Sequence, residues 1–141
     1  MFYRDLTFGI KYEDIAINEY IEYDKYERPS EADRLYYDFL INDTIRYEIK
    51  ADRLSYKTNN LCIELFNNNK LSGLNSTKAD YYIYFIINND KIERVYKIST
   101  DKLKELVKDK KIISGGDYKK SKFVLLNINN LSDYIIDKKV I

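Results

Sequence analysis

Apolar and polar positions alternate along this chain with two different periods. Residues 11–24, KYEDIAINEYIEYD, place Tyr12, Ile15, Ala16 and Tyr20 at helical spacing among Glu and Asp. The spacing predicts a helix that stops before Pro29, where Pro29-Ser30 opens a turn. Residues 35–41, LYYDFLI, read as a short strand, and Asn42-Asp43 as a turn. Residues 44–50, TIRYEIK, set Ile45, Tyr47 and Ile49 against Arg46, Glu48 and Lys50, the period-two pattern of a half-buried strand. The two runs predict a hairpin.

A polar stretch leads to a further strand at 61–66, LCIELF. An Asn-rich turn at 67–69 follows, then Ser72-Gly73 and Ser76, a candidate helix N-cap over a short turn. Residues 81–87, YYIYFII, are almost continuously apolar, as a central strand covered on both faces requires. Residues 92–98 alternate again. Thr100 is placed to cap a helix with Leu103, Leu106 and Val107 on one face. Gly115-Gly116 break the chain before a last strand at 123–128 and a short C-terminal segment. The order predicts an α/β fold with a mixed central β-sheet flanked by helices.

At 141 residues the chain is expected to form a single domain, 1–141, with its own core. Ile, Lys, Tyr and Asn supply 65 of those residues, types with AT-rich codons. An AT-rich host, phage or large DNA virus fits that bias. The near-neutral net charge of +1 hides an asymmetry: residues 1–66 hold 9 basic and 14 acidic side chains, residues 67–141 hold 15 and 9. A carboxylate cluster beside a phosphate-binding surface is one consequence of such a distribution. Histidine is missing altogether, which excludes His-based triads and dyads and His-ligated zinc. The one cysteine, Cys62, excludes an internal disulfide or a thiolate cage, and on its apolar strand it reads as a small buried hydrophobe. No apolar run is long enough for a membrane span or a signal peptide, so the expected location is intracellular: cytoplasm, nucleus or viral factory. Any metal should be a hard cation on oxygen ligands.

The chemistry-bearing segment is Tyr37-Asp38 followed by Tyr47-Glu48-Ile49-Lys50. Glu48 and Lys50 are two apart on one strand and share a face. Hairpin pairing brings Asp38 close to them. Two carboxylates suit Mg²⁺, and a neighbouring ammonium suits a water nucleophile or a developing phosphoryl charge. This combination resembles the PD-(D/E)XK nuclease superfamily, whose small single-domain members include Holliday junction resolvases. Gly9-Ile-Lys-Tyr-Glu13 is similar to the Gly-x-x-x-Glu signature on the first helix of that family. Tyr37 stands where the family's proline often precedes the Asp, and the helix after the third strand is degenerate near residues 74–81.

The resemblance implies a restriction-endonuclease-like αβββαβ core and a Mg²⁺- or Mn²⁺-dependent DNA endonuclease with a resolvase- or repair-like role, working as a homodimer. It implies metal ligation by Asp38, Glu48 and the carbonyl of Ile49. Lys50 would act on the attacking water, with Glu13 as an outer ligand or water-orienting group. Asp52 and Glu64 form a second tier, each with a structural alternative: a local turn for Asp52, a solvated or structural position for Glu64. Ser72, Thr77 and Lys78 are candidates for phosphate contact, against a plain connecting loop. Residues 101–122, with eight lysines and four acids, suit phosphate binding or a solvated face. Tyr81, Tyr82 and Tyr84 suit sheet packing more than base stacking. A catalytically silent DNA-binding or interaction module on the same fold is the alternative function.

Overall fold

The structure is a computed structural model that describes residues 2–115 and 120–139, with side chains from Thr7 onward. Helix α1 (Phe2–Ile15) runs into a π-turn at Ala16–Tyr20. The combined helical segment, 2–20, starts nine residues before the predicted helix and ends four residues sooner. Tyr12, Ala16 and Ile17 are its buried stripe. Gly9 therefore lies inside the helix rather than at its start.

Among the described residues ten strands form two sheets. Strands β1 (Tyr26–Glu27), β2 (Phe39–Ile41), β3 (Ile45–Asp52), β6 (Tyr81–Asn88), β7 (Lys91–Ser99) and β10 (Ile135–Lys138) make a six-stranded sheet in the order β1-β2-β3-β6-β7-β10. Strands β3 and β6 run parallel, and the other neighbours are antiparallel. Strands β5 (Lys70–Leu71), β4 (Asn60–Asn67), β9 (Ser121–Asn127) and β8 (Ile112–Gly115) make an antiparallel four-stranded sheet, in that order. The mixed sheet of an α/β fold is thus present.

The two faces of the large sheet bury different partners. Phe39, Tyr47, Ile49, Ile83, Phe85, Ile87 and Val95 pack with Tyr12 and Ile17 of the α1 segment. On the opposite face Tyr82, Tyr84, Ile86, Tyr96 and Ile98 pack with Leu61, Ile63, Leu65, Val124 and Leu126 of the small sheet. Helix α3 (Thr100–Val107) closes that second core with Leu103 and Val107. Strand β6 is the central, doubly covered strand that its apolar run predicts.

Several local expectations are corrected. The strand predicted over 35–41 begins only at Phe39. The turn opened by Pro29-Ser30 continues through hydrogen bonds from Asp33 and Arg34 N–H to the Ser30 carbonyl, and from Tyr36 N–H to Asp33. Leu35 is left 82% exposed. The strand predicted at 61–66 forms, but as β4 of the small sheet, so β6 takes the place beside β3. No helix forms near 74–81; a 3-10 turn at Gly73–Asn75 stands there, and Ser76 ends it instead of capping a helix. Ser99, one residue before the predicted Thr100, caps α3 by accepting from Lys102 N–H at 3.2 Å. Thr100 is buried and donates to the Ala79 carbonyl at 2.7 Å. Cys62 is exposed, on the face of β4 opposite Leu61 and Ile63. Of the glycine pair, Gly115 ends β8, and Gly116 lies outside the described residues. Among the described residues no helix is long and apolar enough to cross a membrane.

Candidate active site

The β2–β3 hairpin brings the two carboxylates together. Its register pairs Phe39 with Tyr47, Leu40 with Arg46 and Ile41 with Ile45, around the loop Asn42-Asp43-Thr44. Asn42 and Asp43 adopt the left-handed conformation, φ 51° and 64°, which their short polar side chains tolerate. Asp38 N–H donates to the Tyr47 carbonyl at 2.8 Å, one residue off that register, so the ladder slips at Asp38. The slip leaves the Asp38 carboxyl in contact with Glu48.

Asp38 accepts a hydrogen bond from Ile49 N–H at 2.7 Å. Along a strand, one residue's N–H and C=O leave by the same edge, so the Ile49 carbonyl is also on the Asp38 side. Lys50 Nζ lies 3.5 Å from Glu48 Oε1. Burial drives the Asp38 carboxyl up to about 7, with the Glu48 charge adding to the rise and the Ile49 N–H and Lys50 opposing it. Burial also raises Glu48, offset by the Lys50 ammonium. A side-chain hydrogen bond joins the two carboxyls, which raises Asp38 and lowers Glu48.

Glu13 reaches the same neighbourhood from α1. Burial raises its carboxyl, and the Asp38 charge adds to this, against the pull of Arg28. Arg28 holds Glu13 in an ion pair, reaches Asp14 at 3.1 Å and stacks over Phe39 with its guanidinium 4.6 Å from the ring centroid. A cavity lined by Glu13, Arg28, Pro29, Tyr37 and Asp38 opens on this side.

On the other side Glu48 and Lys50 line a cleft of about 420 Å³ together with Glu64, Ser72, Thr77 and Tyr82. Glu64 thus joins the site from the small sheet. Ser72 presents a buried Oγ without a hydrogen-bond partner. Thr77 donates its hydroxyl to the Tyr36 carbonyl at 3.1 Å and accepts from Ala79 N–H at 3.0 Å, which fixes this wall. Lys78 is engaged elsewhere: its ammonium lies 3.3 Å from Asp33 and 4.7 Å from the Tyr36 ring centroid. Asp52 accepts from Leu54 and Ser55 N–H, both at 2.8 Å, so it shapes the turn into the short helix α2 (Ser55–Thr58).

Two contributors escape the sequence pattern. Tyr82 is the ladder partner of Glu48 through the parallel β3–β6 pairing, and burial raises its phenol, with the Glu48 and Asp38 charges adding to that. Arg28 is the second. Arg28 sits beside the helix-breaking Pro29, and no periodicity ties it to Glu13. Among the described residues no group of three or more carboxylates or thiols is arranged to hold a metal ion. The Asp38–Glu48 pair is therefore the donor set in hand. No protein-family model matches this chain, and no curated protein matches it.

Proposed function

We propose that the chain is a divalent-metal-dependent nuclease that hydrolyses DNA phosphodiester bonds, on a restriction-endonuclease-like core of the PD-(D/E)XK type. The observation that carries this reading is the Asp38–Glu48 contact across the hairpin, with Lys50 beside Glu48 at the edge of a polar cleft. Two buried carboxylates in contact repel each other once both ionise. A proton relieves that repulsion at low pH, and a hard divalent cation suits the same pair of oxygen donors at neutral pH. Asp38 and Glu48 would hold Mg²⁺ or Mn²⁺, with the Ile49 carbonyl on the same edge. The bound ion would supply positive charge to the phosphate oxygens and acidify water.

The remaining steps belong to the chain. Ile49 N–H fixes the Asp38 carboxylate. Lys50 offers a half-exposed ammonium that hydrogen-bonds the attacking water or a phosphate oxygen. Arg28 holds Glu13 near the pair, where its raised carboxyl orients water on the side opposite Lys50. A homodimer would supply the second active site that a junction-cutting role needs. The third strand of the family layout is the departure, since β4 pairs in the small sheet.

The test incubates purified protein with linear, nicked, flapped and four-way-junction DNAs in Mg²⁺, Mn²⁺ or EDTA. Lys50→Ala and Asp38→Asn run beside it. Expected is metal-dependent cutting that each substitution lowers by about 10²-fold or more. Binding without cutting in every metal would make the chain a silent DNA-binding module instead. Neither binding nor cutting would leave the Asp38–Glu48–Lys50 cluster as coincidence.

A further inference from the structure

Another cavity, of about 350 Å³, is rimmed by Lys104, Lys108 and Lys110. All three are exposed, and among the described residues no carboxylate lines the cavity with them. The ion pair of α3 is formed by other residues, Lys102 with Glu105 at 3.5 Å. The floor beneath the lysines is apolar: Phe66 of β4, Val107 of α3 and the half-exposed Ile112 of β8. Leu74 and Asn75 also line it, while Gly73 lines the cleft that holds Glu48, Lys50 and Glu64. The 3-10 turn Gly73–Asn75 is thus the wall between the candidate active site and the lysine cavity.

Three ammonium groups around one cavity, with no carboxylate partner among the described residues, favour a polyanion, held by charge without regard to sequence. Charge alone does not account for the floor. A duplex backbone would leave the Phe66 and Ile112 surfaces facing phosphate and water, which gains nothing from their burial. An unpaired base offers an apolar face of the right kind, while its flanking phosphates meet the rim. We infer that this cavity holds an unpaired nucleotide of the substrate strand beside the position to be cut. The inference rests on the nuclease reading and narrows it. The substrate class becomes DNA with single-stranded character next to the cut, such as a flap or gap, instead of continuous duplex.

The test is fluorescence anisotropy with a labelled single-stranded oligonucleotide and a blunt duplex of equal length. Ca²⁺ replaces Mg²⁺ to keep binding separate from cutting, and the salt titration is run for each protein. The wild-type chain is expected to bind the single strand roughly 10-fold more tightly than the duplex. K104A/K108A/K110A should lower the slope of log K against log salt by about 2 on the single strand, at about 0.7 per lost contact. A control with Lys11, Lys57 and Lys91 changed to alanine should keep the wild-type slope, and thermal melts should show all three proteins folded. An unchanged slope in K104A/K108A/K110A, or equal wild-type affinity for both DNAs, overturns the inference and leaves the nuclease reading standing. Failure of the wild-type chain to bind any DNA overturns both.

Discussion

Asp38 is where sequence, electrostatics and stability meet at the scale of one residue. Its carboxyl is raised to about 7 by burial and by Glu48, against about 3.9 in an unfolded chain. Between those values the folded protein holds a proton that the unfolded chain has released. Stability therefore falls as pH rises through this window. With one unit worth about 1.4 kcal/mol and solvent relaxation trimming the full shift, the loss should be on the order of 1–2 kcal/mol. Thermal melts in EDTA at pH 5 and pH 8 measure it. The wild-type melting temperature should drop by several degrees at pH 8, and Asp38→Asn should remove most of the drop because the amide keeps a donor to Glu48 without a charge. Mg²⁺ at pH 8 should restore the wild-type value. A flat pH profile would show that the two carboxylates do not share a proton.

The same residue shows how much of the site was legible. Alternation in residues 44–50 puts Glu48 and Lys50 on one face, and a hairpin around Asn42-Asp43 brings Asp38 close to them, but the exact register was not legible because the loop also takes in Thr44. Glu13 was reached only through the family signature, since its approach to the pair depends on how α1 packs. Tyr82 and the cleft wall were not legible, because a parallel neighbour such as β6 leaves no mark on the pattern of β3. Lys78, a candidate for phosphate contact against a plain connecting loop, is engaged by Asp33 and the Tyr36 ring.

At the scale of elements, two glycines carry opposite constraints. Gly73 sits at φ +51°, and a Cβ there would lie 2.3 Å from the Glu64 carbonyl oxygen. That oxygen belongs to β4 and cannot retreat without breaking the small sheet's ladder. Gly73→Ala should cost about 1–3 kcal/mol, read as a lower denaturant midpoint at an unchanged slope. Gly9 is helical, and nothing lies within 4 Å of where its Cβ would stand. Gly9→Ala should therefore stabilise by about 0.5–1 kcal/mol in the same measurement. Element type followed the pattern closely for β3, β6, β7 and α3. The run at 35–41 misled because apolar Leu35, Tyr36 and Tyr37 imitate a strand while the Ser30 carbonyl holds the chain in a turn. β4 alternates like a strand of any sheet, so its departure to the second sheet could not be read from residues 61–66.

At the scale of the molecule, β6 belongs to both cores. Ile83, Phe85 and Ile87 face α1, while Tyr82, Tyr84 and Ile86 face the small sheet. A strand that alternates between two fully buried faces cannot lose one layer and keep its own packing. The helix layer and the second sheet should therefore unfold together, though their own sequences hardly touch. Phe85→Ala empties the α1 side, and Leu126→Ala empties the small-sheet side; both residues are fully buried. Each should cost about 3–5 kcal/mol. Thermal unfolding followed by nuclear magnetic resonance at the amides of α1 and of β9 should give coincident transitions in both variants. Separated transitions in Leu126→Ala, with the helix signal surviving, would mean that the large sheet and α1 fold without the small sheet. The cleft between Glu48 and Glu64 would then be a junction of two independent units, instead of a site held by one cooperative structure.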